Sequence, residues 1–260
     1  MSTTSVNGTM RDLLPSVAIV EEATAADWTA SVQTEEEAQV AAAVEKRRRE
    51  FAAGRSCARR ALERLGWKDV PVTSGRRGEP VWPPGVVGSI THCQGYCAVA
   101  VAAHTDIAGL GIDAEVETAL SEGVREAVCT ADERRWIAEQ QEHDWTVLFF
   151  SAKESLYKLW YPLMGSWLDY HDAEVVMDLR HRCFEAHIRR PIDSGRFPSS
   201  LTGQFALQDG RVHTAITLVS PAGHDQAGLV GGHDQLSPVA GVELGHHPAH
   251  VGLHRGRADE

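Results

Sequence analysis

The sequence predicts an α+β protein made of two similar α+β lobes in a pseudo-twofold arrangement. Three observations carry that expectation. A long helical stretch opens the chain's first half and three short strand-like segments follow it. Two further helices and four more strand-like segments then repeat the same order. Helices and strands come in runs rather than alternating, which points away from a parallel βαβ sheet. No residue-level repeat links the halves, so duplication rests on element order. With 260 residues, 43% of them hydrophobic, the chain has material for one large or two small cores.

The first helix is expected from Glu35 to Leu65, broken near Gly54 and capped by Gly66. Val40, Val44, Phe51, Ala58, Leu62 and Leu65 share one face, and the i+3/i+4 steps that connect them pass through Arg47 and Arg55. An arginine in register with a buried stripe needs an anionic partner or a stem that snorkels to water. Arg48, Arg49, Arg59, Arg60 and Arg64 lie off the stripe and are expected to be solvated.

A turn-rich stretch, PVTSGRRGEPVWPPG, leads to the strands VVGSI, CAVAVAA and IAGLGIDAE. A polar helix is expected over 121–141. A second begins after Asp144 as N-cap, with Val147, Leu148, Ala152, Leu156 and Leu159 on its apolar side and Ser151, Glu154 and Lys158 opposite. Strands follow at AEVVMDL, CFEAHIR, GQFALQ and VHTAITLV. From Pro221 the chain is rich in Gly and His, repeats GHDQ and lacks apolar periodicity, so 221–260 reads as a disordered tail.

Composition narrows the function. A formal net charge of -11 argues against a nucleic-acid partner, since phosphate binding draws on Lys and Arg. The local exception is the basic island of residues 46–64, which could seat an anionic ligand. The N-terminal stretch has no basic start followed by an apolar run, and no later run is long enough to span a bilayer. A soluble, cytoplasmic protein without membrane attachment is expected. Five scattered cysteines do not suggest a disulfide framework.

Three elements carry chemistry. Asp113 and Glu115, two apart in a strand, project from one face. Their repulsion raises at least one pKa unless a divalent cation intervenes, and Mg²⁺ suits a few carboxylates plus substrate phosphate oxygens. Such a pair is also found at solvent-facing strand ends. Glu154 and Lys158 are four apart on a helix, with Lys153 adjacent, a pattern shared with ordinary surface pairs. In GSITHC, the hydroxyls of Ser89 and Thr91 and the imidazole of His92 could bind phosphate oxygens, although a histidine beside a strand is often structural.

In order, REFAAGRSCARRAL, GRRGEPVWP, GSITHC, GLGIDAE and FSAKESLYKLW resemble the signature blocks of the larger Sfp/EntD-type 4'-phosphopantetheinyl transferases. The resemblance covers most of the chain except the first thirty residues and the tail. It implies that family's two-lobed fold, with a CoA-binding lobe over 1–108 and a lobe over 109–220 carrying the metal and catalytic residues. It also implies transfer of the phosphopantetheine arm of coenzyme A to a serine of an acyl or peptidyl carrier protein, by a monomer. Asp113, Glu115 and Glu154 would hold Mg²⁺, Glu154 would help deprotonate the serine, and Lys158 would stabilise the departing phosphate. Lys153 would contact the pyrophosphate. Arg47, Arg55 and His92 match positions associated with the 3'-phosphate, Ser89 and Thr91 lie in the same CoA-binding block, and Arg77 stands where relatives often carry lysine near the nucleotide. Phe150 replaces a frequent tryptophan. Two other outcomes remain open to the residues: a Mg²⁺-dependent pyrophosphohydrolase, and a noncatalytic CoA- or carrier-binding protein.

Overall fold

A computed structural model describes residues 9–140, 143–192 and 197–220. The predicted tail, 221–260, lies outside the described residues. Among the described residues, two sheets and several helices make the fold a mixed α+β one, as the element order predicts.

The chain enters through strand β1 (Ile19–Glu22), which the sequence did not announce, and a short helix α1 (Thr34–Glu37). The expected long helix is interrupted here, at 38–44, and resumes as α2 (Glu45–Arg64), which runs unbroken through Gly54. The break was expected ten residues too late. Gly54 serves close packing, because a Cβ there would come within 3.2 Å of Ile90 Cγ2. Beyond the last turn, Gly66 takes φ +91°, its N–H donating to Glu63 O while Trp67 N–H donates to Leu62 O. This is the Schellman termination that glycine favours.

The first sheet has the order β1-β3-β2, with β2 at Val86–Cys93 and β3 at Tyr96–Ala103, all antiparallel. β3 explains how the core divides. Val99 and Val101 face Cys57, Ala58, Ala61 and Leu62 of α2. Ala98, Ala100 and Ala102 point the other way, into a cluster with Leu110, Ile112 and Ala114 of β4 (Ile107–Val116). Period-2 alternation assigns each set to a face, and the alanines admit a close neighbour.

The second sheet has the order β4-β8-β7-β6-β5 and is antiparallel throughout, with β5 at Ala173–Asp178, β6 at Cys183–Ile188, β7 at Ser200–Gln208 and β8 at Arg211–Val219. Its five strands exceed the first sheet's three, so the two halves repeat only in part. Between β4 and β5 lie α3 (Glu122–Val128), α4 (Ala131–Glu139) and α5 (Thr146–Met164). The single polar helix expected over 121–141 is thus two, separated at Cys129 and Thr130, where Thr130 caps α4. Asp144 stands one residue outside the N-cap but still accepts from Thr146 N–H at 3.0 Å.

α5 differs from its predicted amphipathic form. Val147, Leu148, Ala152, Leu156 and Leu159 are buried as expected, but Ser151, Lys153 and Glu154 are buried too. α5 lies against β4 and β8 on one side, and polar side chains from its other faces find internal partners there and around the turn at Tyr170–Asp172. Among the described residues no helix is long and apolar enough to cross a membrane, and all five cysteines are free thiols.

Candidate active site

The motif GLGIDAE sets the site's geometry through alternation. Leu110, Ile112 and Ala114 enter the core between the sheets, so Gly109, Gly111, Asp113 and Glu115 share the face turned to α5. The glycines are needed there. A Cβ at Gly111 would fall 1.9 Å from Ser155 O, and one at Gly109 would fall 2.8 Å from Leu163 Cδ1. With nothing at those two positions, α5 lies directly on the strand backbone, and Lys158 and Glu154 come against the acids that follow.

Lys158 Nζ donates to Asp113 Oδ1 at 2.7 Å and to Ile112 O at 3.2 Å. Asp113 is buried, and its Oδ2 has no hydrogen-bond partner among the described residues. Burial, together with the charges of Asp113 and Glu154, pushes the Glu115 carboxyl up to about 9, with Lys158 acting against the shift. Burial pulls Lys158 down, but Asp113, Glu154 and Glu115 outweigh it and its pKa ends raised. Glu154, 5% exposed, accepts through Oε1 from the Tyr170 hydroxyl. Asp113, Glu115, Glu154 and Lys158 thus form one electrostatic group, three acids against one cation. Among the described residues no three acidic, cysteine or histidine side chains already converge as a metal-binding cluster.

GSITHC contributes differently from expectation. Ser89 and Thr91 are buried, and their hydroxyls face β4 rather than an open surface. Ser89 Oγ accepts from Ile112 N–H at 3.1 Å and Thr91 Oγ1 from Ala114 N–H at 2.9 Å. The constant offset of 23 residues means that β2 and β4 run side by side in the same direction, joined by hydroxyls where a ladder would use carbonyls. Thr91 also donates to Asp113 Oδ1 at 3.2 Å. Both hydroxyls sit in the interior, and Thr91 commits its one proton to Asp113.

His92, one residue on, turns outward. Its Nε2 lies 2.6 Å from Arg47 Nη1, and Glu50 stands 3.7 Å from its Nδ1. Arg47 and His92 are therefore brought together, although Arg47 is exposed rather than part of a buried stripe, and Val44 is 73% exposed. Arg55 is the truly buried arginine. It stacks on Phe51 at 4.1 Å and donates to Ser74 Oγ at 2.8 Å, while its Nε lacks a partner among the described residues. Burial pulls its pKa down to about 10. Arg76 and Arg77 are both exposed, and Arg77 reaches the Trp167 ring, 5.3 Å away.

Lys153 and the basic island meet partners inside the fold that helical spacing does not reveal. Lys153 has no donor left for a pyrophosphate, since its three ammonium hydrogens go to Glu133 Oε2 at 2.7 Å, Tyr170 O at 2.8 Å and Val128 O at 2.9 Å. The C-terminal part of the basic island is neutralised within the fold: Arg59 pairs with Glu36, Arg60 with Asp27 and Glu21, and Arg64 with Glu21. Those acids lie 23 to 43 residues before the arginines they pair with, too far for helical spacing to reveal. Sequence reasoning also missed Tyr170 and Glu133, which carry no periodic signal linking them to α5.

Two family comparisons cover most of this architecture. Residues 35–102 match the 4'-phosphopantetheinyl transferase N-terminal domain and residues 109–206 match the 4'-phosphopantetheinyl transferase superfamily. 4'-Phosphopantetheinyl transferase Svp of Streptomyces mobaraensis is 46% identical over 220 residues, spanning 81% of this chain and 89% of the relative. The chain belongs to the 4'-phosphopantetheinyl transferase superfamily. Npt of Nocardia iowensis, 40% identical over 192 residues, covers 70% of this chain and 86% of its own length. PptT of Mycobacterium tuberculosis, 38% identical over 192 residues, covers 71% and 85%. Both are 4'-phosphopantetheinyl transferases by name. As a member, this chain is a transferase enzyme of the phosphopantetheinyl class, using coenzyme A as donor and a carrier protein as acceptor. The first matched block ends within β3 and the second begins in β4.

Proposed function

We propose that this 4'-phosphopantetheinyl transferase activates acyl and peptidyl carrier proteins for fatty acid, polyketide or nonribosomal peptide synthesis, with Asp113, Glu115 and Glu154 as ligands of Mg²⁺. The observation that carries the residue assignment is the set of three carboxylates facing one lysine between β4 and α5, with Asp113 Oδ2 buried and lacking a partner among the described residues. Oxygen donors of this kind fit a hard divalent cation, and a cation would relieve the repulsion that drives Glu115 toward protonation. When bound, Mg²⁺ supplies neutralisation of charge on the pyrophosphate oxygens.

Phosphoryl transfer asks an enzyme mainly to align groups and stabilise charge. The carrier's serine oxygen bonds to the β-phosphorus of CoA, the bond to the bridging oxygen breaks and 3',5'-adenosine diphosphate leaves. Glu154 takes the serine proton, directly or through a water. Lys158, held at Asp113, offers its ammonium to the departing phosphate. On the first lobe, residues 1–108, Arg47, Arg55 and His92 receive the 3'-phosphate, and Arg77 lies toward the nucleotide. The second, 109–220, carries the acids. The enzyme works as a cytoplasmic monomer and needs no membrane or nucleic acid.

Intact-protein mass spectrometry of an apo carrier protein incubated with CoA and Mg²⁺ tests this. A gain of one phosphopantetheinyl group, lost in EDTA and in Asp113→Ala, is the expected result. Cleavage of CoA without modification of any carrier would replace it with a pyrophosphohydrolase, and intact CoA with tight binding would replace it with a binding protein.

A further inference from the structure

We propose that Tyr170 is a positioning residue for the transfer reaction, fixing the Glu154 carboxylate between α5 and the turn at Tyr170–Asp172. The inference rests on Glu154 being a metal ligand and proton acceptor, as proposed above, and adds how this side chain is held.

The geometry is a reciprocal clamp. Lys153 and Glu154 are neighbours on α5, and both engage Tyr170: the Tyr170 hydroxyl donates to Glu154 Oε1, while Lys153 Nζ donates to the Tyr170 carbonyl at 2.8 Å. The main chain and the side-chain tip of one residue are thereby tied to adjacent helix positions. Tyr170 itself is buried, its ring 6.0 Å from that of Phe150, so the hydroxyl has little freedom to turn away.

The clamp is anchored from behind. Glu133 Oε2 meets Lys153 Nζ at 2.7 Å and Thr130 N–H at 2.7 Å, and Glu133 Oε1 accepts from Val175 N–H at 2.7 Å. Val128 O supplies the third acceptor for Lys153 at 2.9 Å. α3, α4 and the Tyr170 turn thus meet at one buried ammonium, and Glu133 ties that point to β5, which fixes where the tyrosine sits. A glutamate has three side-chain torsions to immobilise, and a carboxylate that must serve at a fixed point gains from a donor that restrains one oxygen. Partners of metal-ligating carboxylates orient them in this manner.

The test is a double-mutant cycle on the full-length protein, using Mn²⁺ as the probe ion and electron paramagnetic resonance to count free Mn²⁺ with CoA present, well below every melting transition. Tyr170→Phe removes one hydroxyl and leaves the ring. Mn²⁺ affinity is expected to fall about tenfold. kcat should fall alongside, with KM for CoA and for the carrier held within roughly twofold. In a Glu154→Gln background Tyr170→Phe should cost nothing further. The proposal is overturned if Tyr170→Phe binds Mn²⁺ as wild type does, or if its effect is the same size in the Glu154→Gln background, which would mark general loosening of the fold. Should Glu154→Gln itself bind Mn²⁺ like wild type, the assignment of Glu154 as ligand fails instead, and the role proposed for Tyr170 goes with it.

Discussion

Thr91 Oγ1 lies 3.2 Å from Asp113 Oδ1 while accepting from the N–H of Ala114 at 2.9 Å, so one buried hydroxyl both joins the two sheets and steadies a site acid. Replacing Thr91 with valine keeps the shape and deletes the hydroxyl. The interior Ala114 N–H then loses its acceptor, a loss of about 1–3 kcal/mol in unfolding free energy. Urea denaturation should show that decrease, and turnover should fall while CoA binding without metal persists. An unchanged midpoint would mean that the seam contributes nothing.

Gly111 makes the approach of α5 possible. With a Cβ 1.9 Å from Ser155 O, Gly111→Ala forces helix and strand apart and should cost about 3 kcal/mol or more. Gly123 in α3 has nothing within 4 Å of its Cβ position, so Gly123→Ala should be neutral or stabilise by up to about 1 kcal/mol. Thermal melting of the two variants side by side separates close packing from a generic effect of alanine.

Arg55 combines burial, a partnerless Nε among the described residues and a pKa drawn down to about 10 by burial, the state of a cation prepared for an anion. Arg55→Ala should weaken CoA about ten- to a hundredfold and 3'-dephospho-CoA far less, the range of a charged hydrogen bond. Calorimetric titration of both ligands decides it, and equal losses would remove Arg55 from the 3'-phosphate.

Asp27 gives the fold a pH dependence away from the active site. Burial raises its pKa, but hydrogen bonds from Ser56, Thr24 and Arg60 outweigh that and bring it down from 3.8 to about 2. A depressed carboxylate stabilises fully above its unfolded value and ceases to as pH falls through the folded one. About 2 kcal/mol should therefore disappear between roughly pH 4 and pH 2. Asp27→Asn should lower stability at pH 7 and flatten this part of the pH profile, as followed by circular dichroism.

Local rules reached far along this chain because its chemistry is arranged by short periods. Alternation in GLGIDAE was enough to place Asp113 and Glu115 on one face, and Gly66 marked the end of α2. Order of elements predicted two helix-then-sheet halves, and the motif blocks predicted the family. Tertiary structure decided what each polar group meets. Ser89 and Thr91 became a seam, Lys153 became a buried anchor, and Arg59, Arg60 and Arg64 were claimed by acids upstream. The reason is physical: backbone period fixes the direction of a side chain relative to its own element, whereas its partner is chosen by packing between elements distant in sequence, where an unpaired buried charge is costly.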